Sequence, residues 1–172
     1  MKRIIVFIVS AIIAINIQSQ SPADKVFDKY SGMEGFTTVY ITKYMFDLFK
    51  DVENGEVSDE MQEAISRLNS IKILASDDDP GTKTSINLYN EVMKNLPKEE
   101  YKELMVIKEK DEKVEFLIRE KNKKIIELLL LVDSPDESVM ISIQGDNIDM
   151  KNIGKITKSM NIEGMEKLDN ME

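Results

Sequence analysis

The sequence predicts an α+β fold: a mainly antiparallel sheet with a C-terminal four-stranded meander and helices packed on one face. Three observations carry this reading. Four apolar-rich runs, Tyr101–Lys108, Lys113–Arg119, Lys124–Val132 and Ser138–Gln144, follow one another with short polar breaks. Two of them alternate with period two: Val114, Phe116 and Ile118 against Lys113, Glu115 and Arg119, and Val139, Ile141 and Ile143 against Ser138, Ser142 and Gln144. That is the pattern of antiparallel strands with one face on a core and one toward water. Ahead of them, apolar residues recur at helical spacing in short segments ended by Gly, Asn or Pro.

Taken in order, Ala23 to Tyr30 places Val26, Phe27 and Tyr30 on one helix face, and Ser31-Gly32 stops it. Phe36 to Thr42 is β-branched and aromatic, a strand. Lys43 to Phe49 returns to helical spacing with Tyr44, Met45, Leu48 and Phe49, and Asn54-Gly55 breaks it. Ser58 is a suitable N-cap for a helix whose face is Met61, Ala64, Ile65 and Leu68. Ile71, Ile73 and Ala75 make a second strand, and Asp77-Asp78-Asp79-Pro80-Gly81 a turn. Ile86, Tyr89, Met93 and Leu96 form a helical stripe ended by Pro97. The meander follows, its hairpin connections at Lys110-Asp111, Lys121-Asn122 and Ser134-Pro135-Asp136. Gly145-Asp146-Asn147 closes it, and Asp149 caps a last helix that packs through Ile153 and Ile156. Residues 20–160 read as a single domain, and 161–172 as a frayed tail.

The first nineteen residues are of another kind. Met1-Lys2-Arg3 is a basic head, Ile4 to Ile15 an apolar run, and Asn16 to Gln20 polar. This is the layout of a secretory signal peptide, cut after Ser19. The run is shorter than the roughly 20 apolar residues of a membrane span; the alternative is an uncleaved signal anchor. The chain has no cysteine, hence no disulfide, no thiolate metal site and no residue to carry a lipoprotein's lipid. The expected location is therefore the periplasm or the exterior, without membrane insertion after cleavage. Removing Lys2 and Arg3 with the leader takes the formal net charge from −9 to −11. A surface that acidic disfavours nucleic acid and anionic lipid. The basic cluster at Arg119–Lys124 falls at a hairpin tip and reads as a solvated turn.

Four segments carry a resemblance. Phe27-Asp28-Lys29-Tyr30-Ser31-Gly32, Thr38-Val39-Tyr40-Ile41, Tyr101-Lys102-Glu103-Leu104-Met105 and Ile141-Ser142-Ile143-Gln144-Gly145-Asp146-Asn147-Ile148-Asp149 resemble a secreted bacterial family of Gram-negative envelopes, domain of unknown function 4252. The resemblance implies export and one α+β domain. It implies no activity, and no position inherits a catalytic role.

There is no histidine, which removes the usual general base and the commonest metal ligand. No phosphate-binding glycine motif is present. Enzymatic chemistry would have to rest on carboxylates. Asp77, Asp78 and Asp79 are the candidates for a divalent cation, since hard cations favour clustered carboxylate oxygens. The EF-hand frame fails there, with Gly81 where an acid or amide belongs and Thr82 where glycine belongs; a loop with a helix start explains the same residues. Asp146 and Asp149 form a second acidic pair, for which helix capping is the simpler role.

If Ile126, Leu128, Leu130 and Val132 face the core, then Ile125, Leu129 and Leu131 face the other way with Glu127, beside Leu117 and Met140. Exposed, this strip would mark a partner site; covered by Ala23–Tyr30 or Tyr44–Phe49, it would be core. The leading expectation is an exported, non-enzymatic domain that binds another protein or envelope component through Leu117, Leu129, Leu131 and Met140, with no cofactor. The alternative is a carboxylate-based site for a divalent cation or carbohydrate, binding or hydrolytic.

Overall fold

In a computed structural model of the chain, residues 20–50, 59–76, 85–150 and 153 are described. The leader 1–19, Asn54-Gly55, Ser58, Asp77–Asp79, Ile156 and the tail 161–172 lie outside the described residues. The elements are α1 (Pro22–Tyr30), β1 (Phe36–Thr42), α2 (Lys43–Lys50), α3 (Asp59–Ser66), β2 (Leu68–Ser76), α4 (Leu88–Asn95), β3 (Tyr101–Lys108), β4 (Lys113–Lys121), β5 (Lys124–Asp133) and β6 (Ser138–Gly145). The strands form one six-stranded sheet in the order β1-β2-β6-β5-β4-β3, and each neighbouring pair is antiparallel. The α+β class and the C-terminal meander are therefore as the alternation predicts.

Local chemistry accounts for the ends. α1 starts with a capping box: Asp24 N–H donates to Ser21 Oγ (3.1 Å) and Ser21 N–H to Asp24 Oδ2 (3.2 Å), with Pro22 in the first turn. Asn87 caps α4 by accepting from Asn90 N–H at 2.8 Å. The β4–β5 hairpin turns on Asn122 and Lys123, both at positive φ (53° and 62°), the left-handed pair that a tight two-residue turn requires. Leu68, expected on a helix face, instead begins β2, because Arg67 N–H closes a turn on Ala64 O and ends α3. Gly145 lies so close to the Arg67 carbonyl that a Cβ there would strike it.

The meander's position follows from the crossover. β1 and β2 pair, and the chain then passes through α4 to β3 at the far edge. It returns strand by strand until β6 docks on β2. The central strands are thus buried on both faces. Phe116, Leu128, Leu130, Ile141 and Ile143 pack on one side with Phe46 of α2 and Ala64 of α3. Leu117, Leu129, Leu131 and Met140 pack on the other with Val26 and Phe27 of α1 and Leu88 and Val92 of α4. Helices therefore lie on both faces rather than one. The run Leu128–Leu131 shows why: with four consecutive leucines, neither face of β5 can be left to water. Beyond β6, Ile153 N–H donates to Asp149 O at 3.1 Å, the helical contact expected where Asp149 begins a helix, and Ile153 is buried. No helix among the described residues is long and apolar enough to cross a membrane.

Candidate functional site

The strip expected to be a surface is core. Leu117 is 4% exposed and Leu129, Leu131 and Met140 are 0% exposed, beneath α1 and α4. The covering helix is the one whose face carries Val26, Phe27 and Tyr30, joined by α4. This corrects the interaction surface read from the sequence. The strip is the most apolar part of that face, and two amphipathic helices bury their own faces on it.

Around this core the same sheet face carries polar side chains that strand register lines up. Tyr101 lies opposite Arg119, Arg119 opposite Glu127, and Glu127 opposite Gln144. Lys72 of β2 lies opposite Ser142 and Tyr40. Glu127 is fully buried and accepts from Tyr101 Oη (2.7 Å) and Ser142 Oγ (2.9 Å), with Arg119 Nη2 at 3.1 Å. Burial, and then the Glu127 charge, push the Tyr101 hydroxyl pKa far up, so it stays a donor. Gln144 Nε2 donates to Asp24 Oδ1 at 2.9 Å, and Lys72 Nζ reaches the same oxygen at 2.6 Å. Burial alone would raise the Asp24 pKa; Lys72 and Gln144 outweigh it and hold the carboxyl below its ordinary value. Lys72 also sits over the rings of Phe27 and Tyr40, at 5.3 and 5.4 Å from their centroids. Among the described residues, Arg119 Nε is the buried side-chain nitrogen left without a hydrogen bond. The row ties the start of α1 to five strands, β2 through β6, and its central carboxylate, Glu127, is sealed from solvent.

A second polar group lies at the other end of that face. Tyr89 Oη of α4 donates to Glu115 Oε2 at 2.7 Å, and Lys113 Nζ pairs with the same oxygen at 2.7 Å. Burial would raise the Glu115 pKa, but Lys113 and Tyr89 bring it below the ordinary value. Between the helices, Glu91 accepts from Tyr30 Oη (2.7 Å) and Lys29 Nζ (2.8 Å). These contacts fasten α1 and α4 to each other and to the sheet.

Among the described residues, two places offer open surface of distinct character. A shallow groove of about 440 Å3 runs between the β3–β4 and β5–β6 turns, lined by Glu109, Asp111, Glu112, Asp136 and neighbours. No group of three acidic side chains among the described residues is arranged to hold a metal ion. The second place is the β1 edge. The large apolar side chains that are exposed among the described residues are Met33, Val39, Tyr40, Tyr44, Met45 and Leu48, and all belong to β1 or the segments flanking it. The apolar spacing of α2 does not face inward: Phe46 is buried, whereas Tyr44 is 72% exposed, Met45 46% and Leu48 52%. Because α2 follows β1 without a linker, the strand's end sets which side of the helix meets the sheet. Spacing alone revealed that α2 is amphipathic, but not which way it turns.

The family model described as domain of unknown function (DUF4252) matches residues 30–156, from the end of α1 past β6. No curated protein and no solved structure matched the chain.

Proposed function

The chain belongs to the family described as domain of unknown function 4252, and from that premise we propose that it is an exported, non-enzymatic binding domain whose partner-facing surface is the β1–α2 edge. One observation carries the reading: the exposed large apolar side chains gather at that edge, while the polar and ionisable side chains of the sheet face beneath α1 and α4 are spent on holding those helices. Contiguous exposed apolar surface is costly in water and commonly serves recognition. The leader at 1–19 supplies the export half of the proposal. The partner is a protein, because the edge offers both apolar side chains and the backbone of an outer strand.

A photo-crosslinking residue in place of Tyr44 tests this in the host that makes the protein, with the same residue in place of Lys110, at the β3–β4 turn, as control. The expected outcome is a discrete adduct from position 44 and none from 110, on a chain whose mass begins at Gln20. Equal or absent crosslinking at both positions refutes the surface.

A further inference from the structure

We propose that the occupant of the β1 edge is a second copy of this chain, paired β1 to β1 across a twofold axis at Val39; this rests on reading that edge as the interaction surface. The two edges of the sheet are built differently. β3 carries Lys102, Glu103 and Lys108 and a break of register between Glu103 and Met105, devices that discourage strand addition. β1, Phe-Thr-Thr-Val-Tyr-Ile-Thr, has no charge and no proline, and it runs in unbroken register with β2 over all seven residues. Such a strand is a template for another.

The backbone fixes how a second strand would add. Phe36 N–H donates to Met33 O at 3.3 Å, so Phe36 points its backbone away from β2. Alternation then points Thr38, Tyr40 and Thr42 outward as well. An antiparallel pairing that overlaps the whole strand sets Phe36 opposite Thr42 of the second copy and Thr38 opposite Tyr40 of the second copy. These outward residues exchange hydrogen bonds, and Val39 meets its own equivalent at the axis in a close, non-hydrogen-bonded pair. Val39 and Tyr40, exposed in a single chain, are both covered.

Charge favours the same arrangement. Two copies of an acidic chain repel through solvent, and a charge-free strand adds nothing to that repulsion at the contact. Just beyond the strand ends, Lys43 falls opposite Gly35 of the second copy, next to Glu34, and the twofold axis repeats this opposite-charge neighbour. Glu34 and Lys43 are both exposed; in a single chain Lys43 Nζ donates to Asn69 Oδ1 at 3.3 Å, a surface contact that pairing with Glu34 would replace.

Sedimentation velocity on the chain purified from its host tests the proposal. The expected result is twice the monomer mass at micromolar concentration. Val39→Asp and Val39→Lys should each halve that mass while keeping the wild-type circular dichroism and melting curve. Mixed in equal amounts, they should recover the doubled mass, because opposite charges then meet at the axis. Tyr40→Lys, at a still more exposed position, serves if either Val39 variant fails to fold, and it too should be monomeric. A monomeric wild type, a dimer that survives every one of these substitutions, or folded Val39 variants that do not recover on mixing overturns the proposal. A monomeric wild type that still crosslinks through position 44 to a chain of different mass removes the second copy and leaves the binding edge standing. No crosslink at position 44 removes the edge itself.

Discussion

Replacing Leu129 tests whether the strip beneath α1 and α4 is core. Leu129 is completely buried, sits opposite Leu117 and Ser142 in the sheet, and packs in the cluster that contains Leu88, Val92 and Met140. Truncation to alanine removes the side chain's transfer energy and leaves a cavity that the flanking strands, paired on both sides, cannot close. We therefore expect a loss in the upper part of the leucine-to-alanine range, about 3–5 kcal/mol. For a domain of this size that corresponds to a fall of roughly 6–20 °C in Tm. Serine is worse, since it adds a buried hydroxyl without a partner, costing about 1–3 kcal/mol more. The double variant Leu129→Ser/Leu131→Ser then loses as much as the whole stability of an ordinary domain, about 5–15 kcal/mol. Urea unfolding followed by circular dichroism should give a lowered midpoint for Leu129→Ala and no folded baseline for the double serine variant. A double variant that unfolds cooperatively at the wild-type midpoint would refute the placement of the helices over the strip.

Two further outcomes follow from the polar row. Glu127→Ala leaves Arg119 only the longer ion pair to Glu100, at 3.9 Å, and takes the acceptor from the Tyr101 hydroxyl; it should cost about 3–5 kcal/mol, the usual result of removing one member of a buried pair. Arg119→Met added to it should cost much less than the two single changes summed, as measured by a double-mutant cycle in urea; strict additivity would show that the pair is not coupled. Asp24 has its pKa lowered in the folded chain, so its contribution is complete above the ordinary carboxylate range and is lost as pH falls through the folded value. The melting temperature of the wild type should therefore drop on acidification below about pH 4. Asp24→Asn should be less stable at neutral pH and lose less over the same acid range, and parallel acid limbs for the two proteins would remove Asp24 from the account.

The meander was legible because its signal is local: Val114-Phe116-Ile118 and Val139-Ile141-Ile143 announce their period within one strand each. Sheet order was not, because nothing in β2 or β6 alone says that Ile71 meets Ile143. The strip at Leu129 and Leu131 was legible as a second apolar face but not as a covered one, since its cover comes from α1 and α4, far away in sequence. Glu127 did leave a trace, a lone acid inside Ile125–Val132. Its pairing with Arg119 needed the β4–β5 register, which a one-residue slip would have turned to the other face. The outward turn of α2 left no trace in spacing, because Tyr44, Met45 and Leu48 make the same stripe whichever way they face.

The crossover that sends the chain from β2 to the far edge also orders folding in time. The hairpins β3–β4, β4–β5 and β5–β6 each close over a short turn and can form early, whereas the β2–β6 seam joins Ser70 to Gln144 and must wait for the last strand. A chain made from its N-terminus holds β2 ready, one side on β1 and the other unpaired, while the whole meander is still to come. The middle of that waiting strand is Ile71-Lys72-Ile73-Leu74, and its single charge is Lys72. In the finished fold Lys72 is a partner of Asp24; in a strand still waiting for β6, a charge at that position disfavours pairing with a wrong apolar neighbour.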